Sequence, residues 1–217
     1  MSMGKTYIAK DANRRLREHL ETMGRDLELV ETEGIVSKPL SNHPDIFLCK
    51  MGISEDAPVF YAMENHLGPE YPRDCAYNAA CTGKFFIHNF SITDPALLQA
   101  AKDMGMTLID VNQGYTKCNV AIIDETSIIT SDRGIAAACE DYPELTVLLI
   151  EPGYIRLDGF DTGFIGGASG KAGNEFIFNG NLAKHPDFAQ IVDFVESHGL
   201  TPKWFPEYQL TDIGSIL

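Results

Sequence analysis

The chain has 217 residues, of which 44% are hydrophobic and 22% are charged, so it can bury a core and is not expected to be disordered. Its 17 lysines and arginines stand against 31 aspartates and glutamates, and the resulting net charge of −14 argues against nucleic acid and anionic membranes as partners. The longest aliphatic run, Val147–Ile150, is far shorter than the roughly 20 residues that span a bilayer, and the opening MSMGKT has no apolar signal core.

The cysteines indicate the redox compartment of the protein. Their number is odd, no two form a C-x-x-C pair, and all lie in apolar stretches. They are Cys49, Cys75, Cys81, Cys118 and Cys139. Free thiols in a reducing compartment are the simplest interpretation, so we predict a cytoplasmic protein. No group of His and Cys residues has the spacing of a zinc site, and neither a metal nor a cofactor is predicted.

The amino-terminal part of the chain predicts two structural units. Thr6–Ala9 is typical of a strand, Ala12–Met23 of a helix and Leu27–Val30 of the strand that follows. A second unit opens at Pro44 and continues with a strand at Val59–Met63. The stretch HLGPEYP that comes next replaces the helix of this unit.

Three further segments repeat one another. They begin at Arg73, Thr116 and Phe160. Each has the pattern strand, turn, strand, helix, strand, and alignment makes Cys75, Cys118 and Thr162 equivalent at separations of 43 and 44 residues. In the first segment, Asp94 followed by a proline predicts the start of a helix, and Gly105 predicts its end.

The carboxyl-terminal residues Thr211–Ser215 restart the opening strand of a unit, and we expect them to pair with Tyr7–Ala9. A chain whose last strand completes its first sheet closes into a ring and leaves few exposed sheet edges. We therefore predict an α/β fold with one domain, residues 1–217, arranged as a five-bladed propeller of ββαβ units with the helices outside. The alternative is an open α/β sheet with coincidental spacing.

In such a ring, residues at the start of the opening strands face one another. The residues at that register are Asp45, Asp74, Lys117, Asp161 and Asp212. Carboxylates held close together persist only if they are solvated, protonated or matched by a cation. We expect an acidic channel that binds a small cation, and a guanidinium suits paired carboxylates because its N–H donors lie in one plane. The alternative is that each Asp caps its own turn.

Several segments resemble the pentein superfamily, whose enzymes modify guanidino groups. Tyr71–Asp74 resembles the family's Arg-Asp element, which implies that Asp74 binds a guanidinium beside Arg73. The stretch GFDTGFIGGASG from Gly159 resembles the segment that carries the family's His-x-Asp element, with Asp161 at the Asp. The sequence motifs GYTKC, SIITSD and FIGGASG resemble those of an uncharacterised bacterial family with the pentein fold.

The sequence differs from the pentein enzymes at two positions that those enzymes use for catalysis. Those enzymes carry a nucleophilic Cys in the final unit and a His two residues before the second Asp. Here the final unit, Asp212–Leu217, has no Cys, and Gly159 stands at the His position. The standard mechanism therefore lacks both its thiolate and its proton donor.

Two functions remain open at this point. We favour a binding module that holds a small cationic, guanidino-like ligand, or presents a surface to a protein partner, without the standard catalysis. The other is a diverged cysteine-dependent hydrolase or amidinotransferase with a relocated nucleophile, for which Cys118 is the candidate. His43 and His66 are the candidate bases, and solvated loop histidines are the alternative. On a regular strand, Cys118 would point away from the face that carries Lys117, so a buried structural thiol is the competing interpretation.

Overall fold

The computed structural model describes residues 5–32, 34–63 and 66–217. Most of the opening stretch that lacks a signal core, Met1–Gly4, lies outside the described residues. Within the described ranges the chain combines five small β-sheets with six α-helices, so the α/β class is confirmed.

The amino-terminal part forms two sheets of two strands each. The first pairs β1 with β2 in parallel, with helix α1 between them along the chain. The second pairs β3 with β4 in antiparallel fashion, after the single-turn helix α2. The bounds are β1 Lys5–Ala9, α1 Arg14–Thr22, β2 Asp26–Val30, α2 Pro44–Phe47, β3 Leu48–Lys50 and β4 Val59–Tyr61.

Three sheets of three strands follow and share one topology. In each, an antiparallel hairpin leads into a helix, and the third strand then pairs in parallel with the second strand of the hairpin. This is the predicted order of strand, turn, strand, helix, strand. The elements are β5 Ala80–Cys81, β6 Phe85–His88, α3 Pro95–Asp103, β7 Thr107–Asp110; α4 Thr116–Asn119, β8 Val120–Asp124, β9 Ser127–Thr130, α5 Arg133–Cys139, β10 Thr146–Leu149; and β11 Ser169–Ala172, β12 Glu175–Phe178, α6 Phe188–Ser197, β13 Thr201–Lys203.

Each of the longer helices lies over the strands of its own unit because its apolar residues recur every three or four positions. In α3, Leu97 and Ala101 are buried in one cluster with Phe86 of β6. The matching sets are Leu16 and Leu20 with Ile8, Ile135 and Cys139 with Ile128, and Ile191 and Val195 with Phe176. Full burial of one such Leu or Ile contributes roughly 1.5–3 kcal/mol, so these faces hold each helix on its sheet.

The predicted start of α3 is confirmed by its cap. Asp94 lies just before the helix and its carboxylate accepts a hydrogen bond from Ala96 N at 2.8 Å. This satisfies a backbone donor that has no partner within the helix.

The last residues of the chain lie beside β1. Tyr7 N donates to Leu217 O at 2.8 Å, and Leu217 N donates to Tyr7 O at 3.1 Å. The end of the chain therefore pairs with the first strand, but at Leu217 rather than at the predicted residues Thr211–Ser215, whose backbone amides at Thr211, Asp212, Ile213 and Ser215 bond to Asn179, Arg156 and Gly167 instead. The first strands of the next four sheets also contact one another in succession, from β3 to β5, β8 and β11.

No helix in the described part of the chain is long and apolar enough to cross a membrane.

Candidate functional site

The segments just ahead of the hairpins meet in one buried place. Hydrogen bonds lead from segment to segment and return to Asp45, where the succession starts. Donor first, they are Asn78 Nδ2 to Asp45 O (2.9 Å), Lys117 N to Asn78 O (2.9 Å), Gly167 N to Cys118 O (2.8 Å), Ser215 N to Gly167 O (2.8 Å) and Asp45 N to Gly214 O (3.1 Å). Six buried polar or ionisable side chains gather there, and we call them the central cluster: His43, Asp45, Lys117, Cys118, Asp212 and Ser215.

Two single-turn helices supply half of the central cluster. Asp45 lies in α2, which starts at Pro44, and Lys117 and Cys118 lie in α4. The expectation that Cys118 points away from the face of Lys117 is wrong, because successive side chains in a helical turn differ by about 100° rather than 180°. Cys118 contacts Asp45 directly, and Lys117 reaches Asp45 through Ser215.

Two glycines allow the backbones to approach this closely. A Cβ atom on Gly167 would overlap the carboxylate of Asp212, and one on Gly214 would overlap His43. Gly214 also has a φ of +71°, which side chains rarely adopt. The G-G in FIGGASG therefore serves close packing against the central cluster.

Ser215 joins the two charged residues of the central cluster. Its hydroxyl donates to Asp45 Oδ2 at 2.6 Å, and its oxygen accepts from Lys117 Nζ at 2.8 Å. The other two contacts of the ammonium are the carbonyl oxygens of Val120 and Gly166, each at 3.4 Å. These three acceptors match the three hydrogens of a protonated lysine.

Burial acts on both charges in this arrangement. It raises the pKa of Asp45 and lowers the pKa of Lys117, because a charged group loses its hydration there. The attraction between the carboxylate and the ammonium opposes both shifts. With Ser215 bridging the two, we assign an ionised Asp45 and a protonated Lys117.

Ser215 also has an unusual backbone. Its φ is +75°, and no other non-glycine residue in the described ranges has a positive φ. This left-handed conformation costs a non-glycine residue roughly 1–3 kcal/mol, and such residues cluster at functional sites.

Asp212 and His43 form the opposite side of the central cluster. Asp212 accepts hydrogen bonds from Phe164 N at 2.9 Å and from Gly214 N at 3.0 Å. Burial nevertheless raises its pKa to about 6. His43 Nδ1 lies 3.8 Å from Asp212 Oδ1, which is too far for a hydrogen bond, and this buried nitrogen has no other partner. Burial lowers the pKa of His43, so the ring is neutral at pH 7.

Cys118 donates to the carboxylate of Asp45, with Sγ at 3.3 Å from both oxygens. Burial raises the pKa of this thiol well above its usual range, and the neighbouring carboxylates act in the same direction. Ligand atoms of His43, Asp45 and Cys118 all lie within 4.8 Å of one another. The sequence spacing gives no sign of this three-residue group, because Cys118 comes from a different unit than His43 and Asp45.

Asp74 does not belong to the central cluster. It is buried, and its Oδ2 accepts from the hydroxyl of Tyr115 at 2.6 Å. Its Oδ1 is buried without a hydrogen-bond partner. The ring of Tyr71, which is 54% exposed, lies 6.1 Å from that of Tyr115. Arg73 is on the surface, where its guanidinium donates to the carbonyl of Leu67 at 3.2 Å.

The predicted ring of five residues is only partly assembled. Asp45, Lys117 and Asp212 come together, but Asp161 lies on an exposed loop outside the central cluster. The residues that occupy the predicted register are Asn78, four positions after Asp74, and Gly167, six positions after Asp161. The alignment was wrong there because the turns that precede β5 and β11 differ in length from α2 and α4.

The cavity nearest the central cluster is not acidic. It has a volume of about 50 Å³, and its lining includes Lys50, Lys117 and Lys171 but no Asp or Glu. The expected acidic channel is therefore absent at this cavity, because Asp45 and Asp212 face buried donors from the protein instead.

Sequence reasoning missed two residues at this site. Ser215 lies in the final unit, where the pentein enzymes carry a cysteine, and Asn78 lies four positions after the residue that the repeat alignment places in the ring. A search for any nucleophilic side chain in the final unit finds Ser215, since Asp212–Leu217 contains no other hydroxyl or thiol.

Comparison with known proteins adds a family but no activity. No curated protein and no solved structure matches this sequence. Residues 55–217 match a family model described as a family of unknown function, DUF6873. This range includes Asp74, Lys117, Cys118 and Ser215, whereas His43 and Asp45 precede it. Because the match covers most of the chain, the protein belongs to the DUF6873 family.

Proposed function

We propose that this protein is a pentein-type five-bladed α/β propeller that binds a small cationic ligand with a guanidinium-like group at Asp74. The propeller is supported by the number of sheets, the contacts of their first strands in succession and the hydrogen bonds that return to Asp45. The pairing of Tyr7 with Leu217 supports closure of the first blade. The five unpaired buried cysteines favour the cytoplasm as its compartment.

A single observation carries the ligand proposal. Asp74 Oδ1 is a buried carboxylate oxygen without a donor, which is costly unless a ligand supplies one. Asp45 and Asp212, by contrast, already accept hydrogen bonds from the protein on both of their oxygens. Of the buried carboxylates predicted to bind a cation, Asp74 is therefore the one whose oxygen can accept a hydrogen bond from a ligand.

The surroundings of Asp74 suit a planar cation. The rings of Tyr71 and Tyr115 lie beside it, and aromatic faces attract guanidinium groups. Tyr71 is 54% exposed, so it can turn aside to admit a ligand without opening the core. The resemblance of Tyr71–Asp74 to the Arg-Asp element of the pentein enzymes supports the same assignment.

The test is a calorimetric titration with methylguanidine and with L-arginine. Wild-type protein is expected to bind at least one of them saturably. Asp74→Asn removes the charge that a guanidinium bonds, and this is expected to weaken binding by about 10-fold or more.

The matched control for this titration is Asp161→Asn, which makes the same change on an exposed loop. Its affinity is expected to equal that of the wild type. The proposal is overturned if wild-type protein gives no saturable signal, or if both variants lose affinity equally.

A second candidate function rests on the approach of Cys118 to His43 and Asp45 within 4.8 Å. A cysteine beside a histidine is the arrangement of a cysteine-dependent hydrolase or amidinotransferase. Such an enzyme needs a thiolate, and burial here raises the pKa of Cys118, whose sulfur contacts the carboxylate of Asp45. Binding at Asp74 is therefore the function that the geometry supports better.

A further inference from the structure

We propose that Ser215 is a nucleophile for small acyl compounds, with Asp45 as its general base and Lys117 as the cation that stabilises its oxygen. This proposal is independent of ligand binding at Asp74. It rests on the contacts of Ser215, on its backbone conformation and on the cavity beside Lys117.

The contacts of Ser215 are those of an activated hydroxyl. A serine attacks only when a base takes its proton, and the hydroxyl donates to Asp45 Oδ2 at 2.6 Å. The negative charge that develops on Oγ needs a nearby cation, and Lys117 Nζ lies 2.8 Å from that atom. The other buried serines in the described part of the chain lack such partners. The hydroxyl of Ser169, for example, donates to the carbonyl of Ile165.

The backbone of Ser215 supports the same role. At a φ of +75° a glycine would be unstrained, yet the chain carries a side chain there. Nucleophilic serines of other hydrolases sit on strained turns that hold the hydroxyl in place. The strain at Ser215 orients Oγ between the carboxylate and the ammonium.

The nearest cavity limits which substrates can approach this group. Ser215 is fully buried and does not itself line the cavity, so a substrate contacts its hydroxyl only when the side chains between them move. The cavity ends against Lys117 and is also lined by Ile216, the neighbour of Ser215. Its volume of about 50 Å³ admits a few waters or a small acyl group, not a peptide. Because Lys50 and Lys171 also line it, we infer that the substrate is a small ester or anhydride that carries a negative charge.

The reaction balances without a cofactor. Ser215 Oγ attacks the carbonyl carbon, its proton passes to Asp45, and the leaving group departs with that proton as the acyl-serine forms. A water from the cavity then attacks the acyl carbon and gives its proton to Asp45. The bond between the acyl carbon and Oγ breaks, and Asp45 returns the proton to Ser215.

The test uses methanesulfonyl fluoride, a serine reagent of the size of a small acyl group that loses fluoride on reaction, followed by peptide mass mapping. We expect one adduct per chain, on Ser215. Lys117→Met is expected to slow labelling by about 100-fold or more, which is the effect of removing one stabilising donor. Asp45→Asn is expected to slow it similarly, because the base is lost.

Two further variants separate chemistry from folding. Ser215→Gly suits the positive φ, so it should fold and remain unlabelled. Ser127→Ala removes another buried serine hydroxyl far along the chain and should label like the wild type. Absence of a Ser215 adduct on the wild-type protein overturns the proposal, as does labelling that Lys117→Met leaves unchanged. Neither result affects arginine binding at Asp74.

Discussion

Acid is expected to destabilise the protein through His88, which lies beneath the segment that leads to the central cluster. The side chain is fully buried in β6, where Nδ1 pairs with Thr93 Oγ1 at 2.7 Å and Nε2 with Gly114 O at 2.9 Å. Gly114 is followed by Tyr115 and by α4, which carries Lys117. Protonation of His88 therefore opposes the contacts that position α4.

The size of the effect follows from the pKa of His88. Burial lowers it from 6.5 to about 4, so the unfolded chain binds a proton that the folded protein does not. Stability therefore falls as the pH drops from about 6.5 to about 4. At 1.36 kcal/mol per pKa unit, the loss approaches about 3 kcal/mol at pH 4.

The assay is urea unfolding between pH 7 and pH 4, followed by the fluorescence of the single tryptophan, Trp204. The comparison variant is His88→Gln, whose amide can reach Gly114 O but does not titrate. The raised pKa of Asp212 works in the opposite sense, because it lowers stability as the pH rises from about 4 to about 6. Both proteins share that contribution, so it cancels in their difference.

Wild-type protein is expected to lose about 3 kcal/mol more than His88→Gln across this range. Parallel stability curves for the two proteins would refute the assignment of a neutral, buried His88.

Two further outcomes concern the central cluster. Lys117→Met leaves the buried carboxylate of Asp45 without its cation and is expected to cost about 3–5 kcal/mol in urea unfolding, most of which a second change, Asp45→Asn, should recover. Full stability of Lys117→Met alone would show that the ammonium is not paired there. In iodoacetamide labelling of the folded protein at pH 7.5, Cys118 should react more slowly than free cysteine and no faster than the buried Cys139, because a protonated thiol is unreactive. Rapid, selective labelling of Cys118 would instead favour the cysteine-dependent hydrolase.

Local patterns in the sequence predict the order of strands and helices. The apolar residues of α3 and α6 recur at helical spacing, and a proline after Asp94 marks a helix start, so these elements follow from neighbours along the chain. The same patterns identified the repeated unit and the strand that pairs with the end of the chain. Asp45, Lys117 and Asp212 were also found in this way, since each lies just before or within a recognisable unit.

The sequence by itself thus determined the α/β units, their number and three members of the central cluster. Only the tertiary structure decided that Ser215 lies between Asp45 and Lys117, that Asp161 stays on the surface, and that Cys118 faces the buried carboxylate. The hydrogen bond from Ser215 to Asp45 joins residues 170 positions apart, and no local pattern encodes such a contact. The length of each turn decides which residue reaches the central cluster. A repeat alignment treats a difference in turn length only as a gap.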